Sequence, residues 1–264
     1  MLSKESITKN INTKVLGRNV EYMYEVDSTN EQIKRMAQDS PDGLLVVADA
    51  QISGKGRLGR TWSSPHGDNI YMSFLIKKDI SPMKAPMITI LAAMAVLDAV
   101  KHYTDAVYIK WPNDIVVNGK KICGILTEMK TRADITEYVV VGIGINVNTE
   151  TFAQDIEDKA TSLLLETGKR TDRSQIVGMV MESFEKYFET FTEDGSLKSL
   201  VEQYNKNLIN INRKVEVLEG NGKYTAIALG IDENGELLVR PDGSTESKKV
   251  MSGEVSVRGV YGYV

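Results

Sequence analysis

The sequence is poor in the residues that build covalent or metal staples. Cys123 is its only cysteine, so an intrachain disulfide framework is excluded and a reducing compartment is expected. Its two histidines, His66 and His102, have no Cys or His at ligand spacing, which argues against a structural zinc. No Ser-His-Asp arrangement is visible. Long apolar runs are lacking too, none reaching the roughly 18 residues that suggest a membrane span. Met1–Asn12 has no secretion-signal pattern, so the cytoplasm is the expected compartment, with no membrane partner. Positive charge is in deficit: the net charge is −4 and the pI is near 5.4, so there is no global electrostatic case for nucleic-acid binding. Internal repeats and low-complexity linkers are absent.

The chain of 264 residues, 42% hydrophobic, has room for one large domain or a large one plus a small one. Its cations concentrate locally, around Lys120-Lys121 and in the stretch Ser53–Trp62, SGKGRLGRTW. That distribution suits a small anionic ligand better than a polyanion. Gly54-x-Gly56-x-x-Gly59 has the spacing of a dinucleotide fingerprint, which requires a strand before it and a helix after it. The strand is present in Gly43–Ala48, but Arg60–Asp68 is a string of turn formers and no helix follows. No Gly-Lys-Ser/Thr follows either, which removes the phosphate-binding P-loop. The stretch is read instead as a flexible cationic clamp between two strands.

Alternation predicts strands over Asn69–Lys77, Lys120–Met129 and Val139–Asn148, the last with glycines that suggest a close approach to the backbone. Lys84–Tyr103 reads as a buried helix, Gln175–Phe191 and Leu197–Asn205 as further helices. Ser28 and Glu31 stand at capping-box spacing before another. Trp111-Pro112-Asn113-Asp114 marks a sharp bend at strand ends, and Asn118-Gly119 a hairpin turn. From about Asn210, five short strands separated by Asn-Gly and Asp-Gly turns predict a small barrel. The expected architecture is α+β, a mixed sheet with packed helices over residues 1–208, then an SH3-like β-barrel over 209–264.

Taken singly, these residues have ordinary alternatives. Trp111 reads as core, whereas Trp62, between polar neighbours in a loop, suits stacking on a base or substrate. Lys121 could be merely solvated, Asp114 a turn residue, and Glu254 with Arg258 a surface pair.

Taken in order, they carry a resemblance. Asp27–Asn30, Gln51 with Gly54–Trp62, Asn69–Ser73, Lys110–Asp114, Lys121 with Gly124–Leu126, Gly142–Asn146 and Gly253–Arg258 follow the motif order of the biotin protein ligases. The resemblance implies the synthetase-like catalytic fold and a two-step reaction of biotin with ATP and then with a lysine of a biotin carboxyl carrier domain. With only about 20 residues before the first motif, it implies the monofunctional type, without a DNA-binding module. By resemblance, Ser28, Thr29, Asn30, Gln51, Lys55, Gly56, Arg57, Lys121 and Gly124 attend biotin, with Lys121, Arg57 and Asp114 closest to the chemistry. Arg60, Trp62, Lys110, Asn113, Asn146, Glu254 and Arg258 attend ATP, and Asp114 is the candidate for Mg²⁺. Lys55 departs from the arginine usual in the family, which keeps charge but loses the bidentate fork. Leu58 stands where a basic residue is frequent. A lipoate- or octanoate-type ligase of the same fold, or a non-catalytic biotin-binding module, remains the alternative, as does the choice between monomer and homodimer.

Overall fold

The β-branched runs of the first half of the chain pair into one seven-stranded mixed sheet in the computed structural model, which describes residues 2–132, 135–219, 222–252, 255–259 and 263–264. Its strands are β1 (Val20–Val26), β2 (Leu45–Gln51), β3 (Ile70–Ile76), β4 (Val107–Lys110), β5 (Asp114–Val117), β6 (Lys120–Arg132) and β7 (Ile135–Ile145). Their spatial order is β1-β2-β3-β7-β6-β5-β4. Only β1 and β2 are parallel, joined through α2 (Thr29–Met36); the other neighbours are antiparallel.

Side chains alternate between faces along a strand. Val46, Leu75 and Val140 meet Ile33 and Ala37 at α2, while Val47, Phe74, Ile76, Val139 and Val141 enter the main core. That core holds α3 (Ala85–Lys101) and α5 (Arg173–Asp194), with the flanking α1 (Lys4–Asn10) and α4 (Leu163–Thr167). α3 is apolar on nearly every side because it is enclosed. One sequence expectation is corrected by it: Pro82–Lys101 is long and apolar enough to cross a membrane, but 72% of its apolar 18-residue window is buried inside the fold.

A second sheet of five antiparallel strands follows α6 (Val201–Lys206). It comprises β8 (Lys214–Glu219), β9 (Gly222–Ile231), β10 (Leu237–Pro241), β11 (Lys248–Val250) and β12 (Val255–Gly259), in the order β11-β10-β9-β8-β12. The five strands fall where the turn signals put them, but among the described residues the sheet does not close, since β11 and β12 are its edges. The two sheets share one apolar cluster, and the indole N–H of Trp111 donates across the junction to the Gly235 carbonyl at 3.1 Å.

Two short helices, α1 and α4, escape the periodicity reading, and the segment expected as one helix over 197–205 starts with a 3₁₀ turn, Lys198–Leu200. The capping box expected at Ser28 and Glu31 does not form. The Thr29 N–H donates instead to the Gln51 side chain at 2.9 Å, and Glu31 pairs with Lys34 and Lys55. A true capping box stands at α1, between Ser3 and Ser6.

The approach to β1 is pinned by Glu185 on α5, whose carboxylate accepts the backbone N–H groups of Lys14 (2.6 Å), Val15 (2.8 Å) and Leu16 (2.9 Å). Burial alone would raise its pKa, but the three donors outweigh burial and hold it below the usual carboxylate value. A carboxylate of depressed folded pKa adds stability that is present above its unfolded pKa of about 4.3 and lost as pH falls through the folded value. Glu185→Gln is expected to cost about 1.5–3 kcal/mol in urea unfolding at pH 7. The gap to the native chain should shrink by pH 3.5, and a gap that ignores pH would refute this role for the charge.

Candidate active site

One side of the sheet is nearly bare of side chains where β6 and β7 run together. Gly124 pairs with Gly144, and Gly142 lies two residues further along the same face. Other residues occupy the space this leaves. A Cβ on Gly142 would stand 2.1 Å from Asn30 Oδ1, and one on Gly144 would stand 2.5 Å from the Trp62 indole nitrogen. The glycines noticed in the sequence thus mark the floor of a site, a small cavity of about 50 Å³.

Its first wall is neutral and polar. Ser28, Thr29 and Asn30 open α2 over the end of β2, and all three are buried. Gln51, the last residue of β2, accepts the Thr29 N–H and sends its own amide N–H to Ser64 Oγ at 2.9 Å. Asn30 donates to Glu128 at 2.7 Å and to the Leu126 carbonyl at 3.3 Å. Lys34 bridges Glu31 and Glu128 at 2.8 and 2.7 Å.

Its second wall is the cationic loop. It is not a loose strap but a closed hairpin: Gly56 N–H reaches the Arg60 carbonyl at 2.7 Å and Trp62 N–H reaches Gly54 at 2.9 Å. Leu58 and Gly59 form the tip with φ of 56° and 73°. A leucine in that left-handed region costs about 1–2 kcal/mol against glycine, so the closed tip stores strain. Lys55 is tied to Glu31 at 2.7 Å, and Arg57 donates to Asn113 Oδ1 at 2.8 Å and to the backbone carbonyl of Ser252, near β12. Burial pushes the Arg57 guanidinium below its usual pKa; the Asp114 charge opposes that and Arg60 adds to it. The Trp62 indole lies on Gly124 and Gly144, its N–H buried with no hydrogen-bond partner among the described residues. An indole N–H in that state carries a desolvation cost that a polar ligand atom or a swing outward relieves.

Lys121 stands where the walls meet. Its ammonium lies 2.6 Å from Asp114 Oδ1 and 5.3 Å from the centre of the Trp62 ring. Asp114 Oδ2 accepts the Tyr263 hydroxyl. The Tyr263 ring lies against Lys110, whose ammonium is 3.4 Å from the ring centre. Burial, then the Asp114 charge and hydrogen bond, push the Tyr263 phenol far up, so it stays neutral and donates. Cys123, next in the strand to Gly124, is fully buried, and burial raises its thiol well above the usual range, so it is no nucleophile.

Of the residues singled out from sequence, Ser28, Thr29, Asn30, Gln51, Lys55, Gly56, Arg57, Trp62, Asn113, Lys121 and Gly124 line this cavity. Asp114 borders it through Lys121. Arg60 is exposed at the loop's end, and Lys110 is buried under Tyr263. Asn146 does not line it; its amide donates to the Thr161 carbonyl at 3.1 Å and fastens the turn after β7. Glu254 lies outside the described residues, and of Arg258 only the backbone, paired with Glu216 in β8, is described. Asp114, the residue expected for Mg²⁺, faces the Lys121 ammonium with Oδ1 and accepts the Tyr263 hydroxyl with Oδ2. Among the described residues no three carboxylate, imidazole or thiol groups converge on a metal position. Ser73, Glu128, Ser252 and Tyr263 were not legible as site residues.

The comparisons with known proteins agree with this geometry. The model of the Biotin/lipoate A/B protein ligase family matches residues 22–146, and that of the biotin protein ligase C-terminal domain matches 211–258. The bifunctional ligase/repressor BirA of Bacillus spizizenii is 37% identical over 265 aligned positions, covering 97% of this chain and 79% of that protein. A biotin–[acetyl-CoA-carboxylase] ligase of Paracoccus denitrificans is 28% identical, covering 81% and 91%. Among solved structures, the biotin protein ligase of Aquifex aeolicus in complex with biotin and ATP superposes with a TM-score of 0.80 at 32% identity, covering 92% of this chain and 99% of that one. The chain belongs to the biotin protein ligase family.

The glycine floor generates a direct test. The only other tryptophan, Trp111, is 2% exposed and distant in role, so a change in emission reports Trp62. Gly144→Ala is expected to lift the indole off the sheet, moving tryptophan emission to the red while the far-ultraviolet circular dichroism stays native. An unshifted emission would show that Trp62 does not rest where the glycine allows it.

Proposed function

We propose that this chain activates biotin with ATP and transfers it to one lysine of a biotin carboxyl carrier domain, through biotinyl-5′-AMP. The observation that carries the reading is the junction at Lys121, where a neutral polar pocket meets a cluster of cations. A carboxylic acid with a polar, uncharged head fits that division, its head among Ser28, Thr29, Asn30 and Gln51 and its carboxylate at Lys121 and Arg57. The printed names of the relatives, and the biotin and ATP in the Aquifex structure, support the choice of acid and nucleotide.

The chemistry follows from charge. A carboxylate oxygen attacks the α-phosphorus and pyrophosphate leaves; both reactants are anionic, and fixed cations lower the cost of their approach. Lys121 and Arg57 neutralise the carboxylate and α-phosphate, Arg60 and Lys110 the departing polyphosphate. For Lys110 to do so, the Tyr263 ring must leave its ammonium. Trp62, raised from its glycine floor, offers a face to adenine, with Asn113 and the region of Asn146, Glu254 and Arg258 around the nucleotide. In the second step a lysine amine attacks the acyl carbon and AMP leaves, Asp114 taking the proton from the amine. Mg²⁺ accompanies ATP and is usually held by the phosphates with few protein ligands, so every step above is assigned to the chain's own residues. We place the catalytic unit at 1–208, the C-terminal unit at 209–264, and the protein in the cytoplasm.

ATP–pyrophosphate exchange with a panel of acids tests the substrate: biotin should turn over, lipoate and octanoate should not. Equal exchange with lipoate would replace biotin in this reading. A second test concerns the loop. Arg57→Gly removes a charge-assisted contact of about 1.5–3 kcal/mol, a tenfold to hundredfold loss in retention of the adenylate. The variant should still make the intermediate but release it early, labelling bystander lysines on an added non-carrier protein, counted by mass spectrometry. Labelling no greater than that of the native chain would show that the loop does not retain the intermediate.

A further inference from the structure

The polar wall of the pocket contains a chain of hydroxyl and amide groups whose protons can be counted. Ser73 Oγ, fully buried on β3, lies 2.6 Å from Asn30 Oδ1 and 2.7 Å from Thr29 Oγ1. The Asn30 amide has no freedom to flip. Its other end faces the Glu128 carboxylate and the Leu126 carbonyl, both acceptors, so nitrogen must lie there and oxygen must face Ser73. Glu128 is itself held as an acceptor by the ammonium of Lys34 at 2.7 Å. An oxygen 2.6 Å from a hydroxyl needs a proton between them, so Ser73 gives its single proton to Asn30. The short contact between Ser73 and Thr29 then takes its proton from Thr29. The remaining neighbour, Gln51 Oε1, stands farther off at 3.2 Å and is served by the Thr29 backbone N–H.

The order Thr29 to Ser73 to Asn30 is therefore the one arrangement that leaves neither short contact without a proton. It spends the Thr29 proton away from the cavity, and the Thr29 oxygen has only lone pairs to offer a ligand. We propose that Ser73 and Glu128 are positioning residues that fix the Thr29 hydroxyl as a hydrogen-bond acceptor, so that the pocket selects a ligand presenting an N–H there. In biotin the ureido ring supplies that N–H. The inference deepens the biotin reading and rests on it. Gly142 belongs to the same device, since any side chain there would displace Asn30.

The test compares biotin with its two cyclic carbamate analogues, in each of which one ureido N–H is replaced by oxygen. Binding is measured by calorimetry on the native chain, Ser73→Ala and Glu128→Gln. The native chain should reject one isomer strongly, because oxygen would face oxygen. Ser73→Ala frees the Thr29 proton to turn toward the ligand, and discrimination against that isomer should fall on the order of tenfold or more, the worth of one hydrogen bond reversed in sense. Glu128→Gln can present either end of its amide to Asn30, and should lower the same ratio by less. A pocket that merely loosened would weaken both ligands together and leave the ratio unchanged; that result would overturn the proposal. Failure of the native chain to bind biotin at all would instead overturn the function on which it rests.

Discussion

Two strands nearly bare of side chains on one stretch of their surface govern the rest of the site. Gly142 and Gly144 on β7, beside Gly124 on β6, let Asn30 and Trp62 sit directly on backbone. Glycine in a strand interior weakens the strand, because it packs nothing and loses more conformational freedom on folding. The sheet tolerates the loss because β7 is flanked on both sides by long antiparallel partners and backed by α3. Rigidity behind the glycines and bare backbone in front of them are thus one arrangement. It offers a ligand a flat floor whose walls are set by residues from elsewhere.

Those walls hold more charge than the net value of −4 suggests. Lys55 is paired with Glu31, Lys34 with Glu31 and Glu128, and Lys121 with Asp114. Partly exposed pairs of this kind add little to stability. Their consequence is kinetic and geometric, for each cation is held at a defined place by a partner that an incoming anion can replace. Arg57 differs, since among the described residues its partners are a side-chain amide and a backbone carbonyl, and its charge is desolvated with no carboxylate of those residues in direct contact. An anion at the junction would therefore gain most from Arg57 and would have to displace Asp114 at Lys121.

The sequence made the fold legible where periodicity is strong. Ile70–Ile76, Ala85–Lys101 and the five terminal strands lie within a few residues of their expected limits, since alternation and enclosure leave clear patterns. α1, with seven residues and one buried, has too little pattern to find. Ser28 and Glu31 misled because the Glu31 carboxylate, which a capping box would turn back to the Ser28 N–H, is drawn to Lys34 and Lys55 instead. Membership of the pocket was legible for the motif residues from Ser28 to Trp62 and at Asn113, Lys121 and Gly124, with Arg60, Lys110 and Asn146 outside it, but what holds them was not. Arg57 and Ser252 are separated by 195 positions, and Asp114 and Tyr263 by 149. No local signal marks such partners, and a buried serine such as Ser73 has no pattern that distinguishes wiring from packing.

Those long-range contacts also bear on why a small second sheet accompanies the first. Ser252 receives Arg57, Tyr263 holds Asp114 and covers Lys110, and Gly235 receives the indole of Trp111 just before Asp114. Each contact falls on the cationic side of the site, none on the polar side. The neutral polar wall is thus built from the seven-stranded sheet and α2, while the cations beside it are partly held by residues that follow β9 in the chain. A displacement of Ser252 and Tyr263 by an ångström would leave the hydrogen bonds of the polar wall intact and change the contact of Arg57 with Ser252 and those of Tyr263 with Asp114 and Lys110. The geometry separates the neutral wall from the charged one, and ties the C-terminal segment to the charged one.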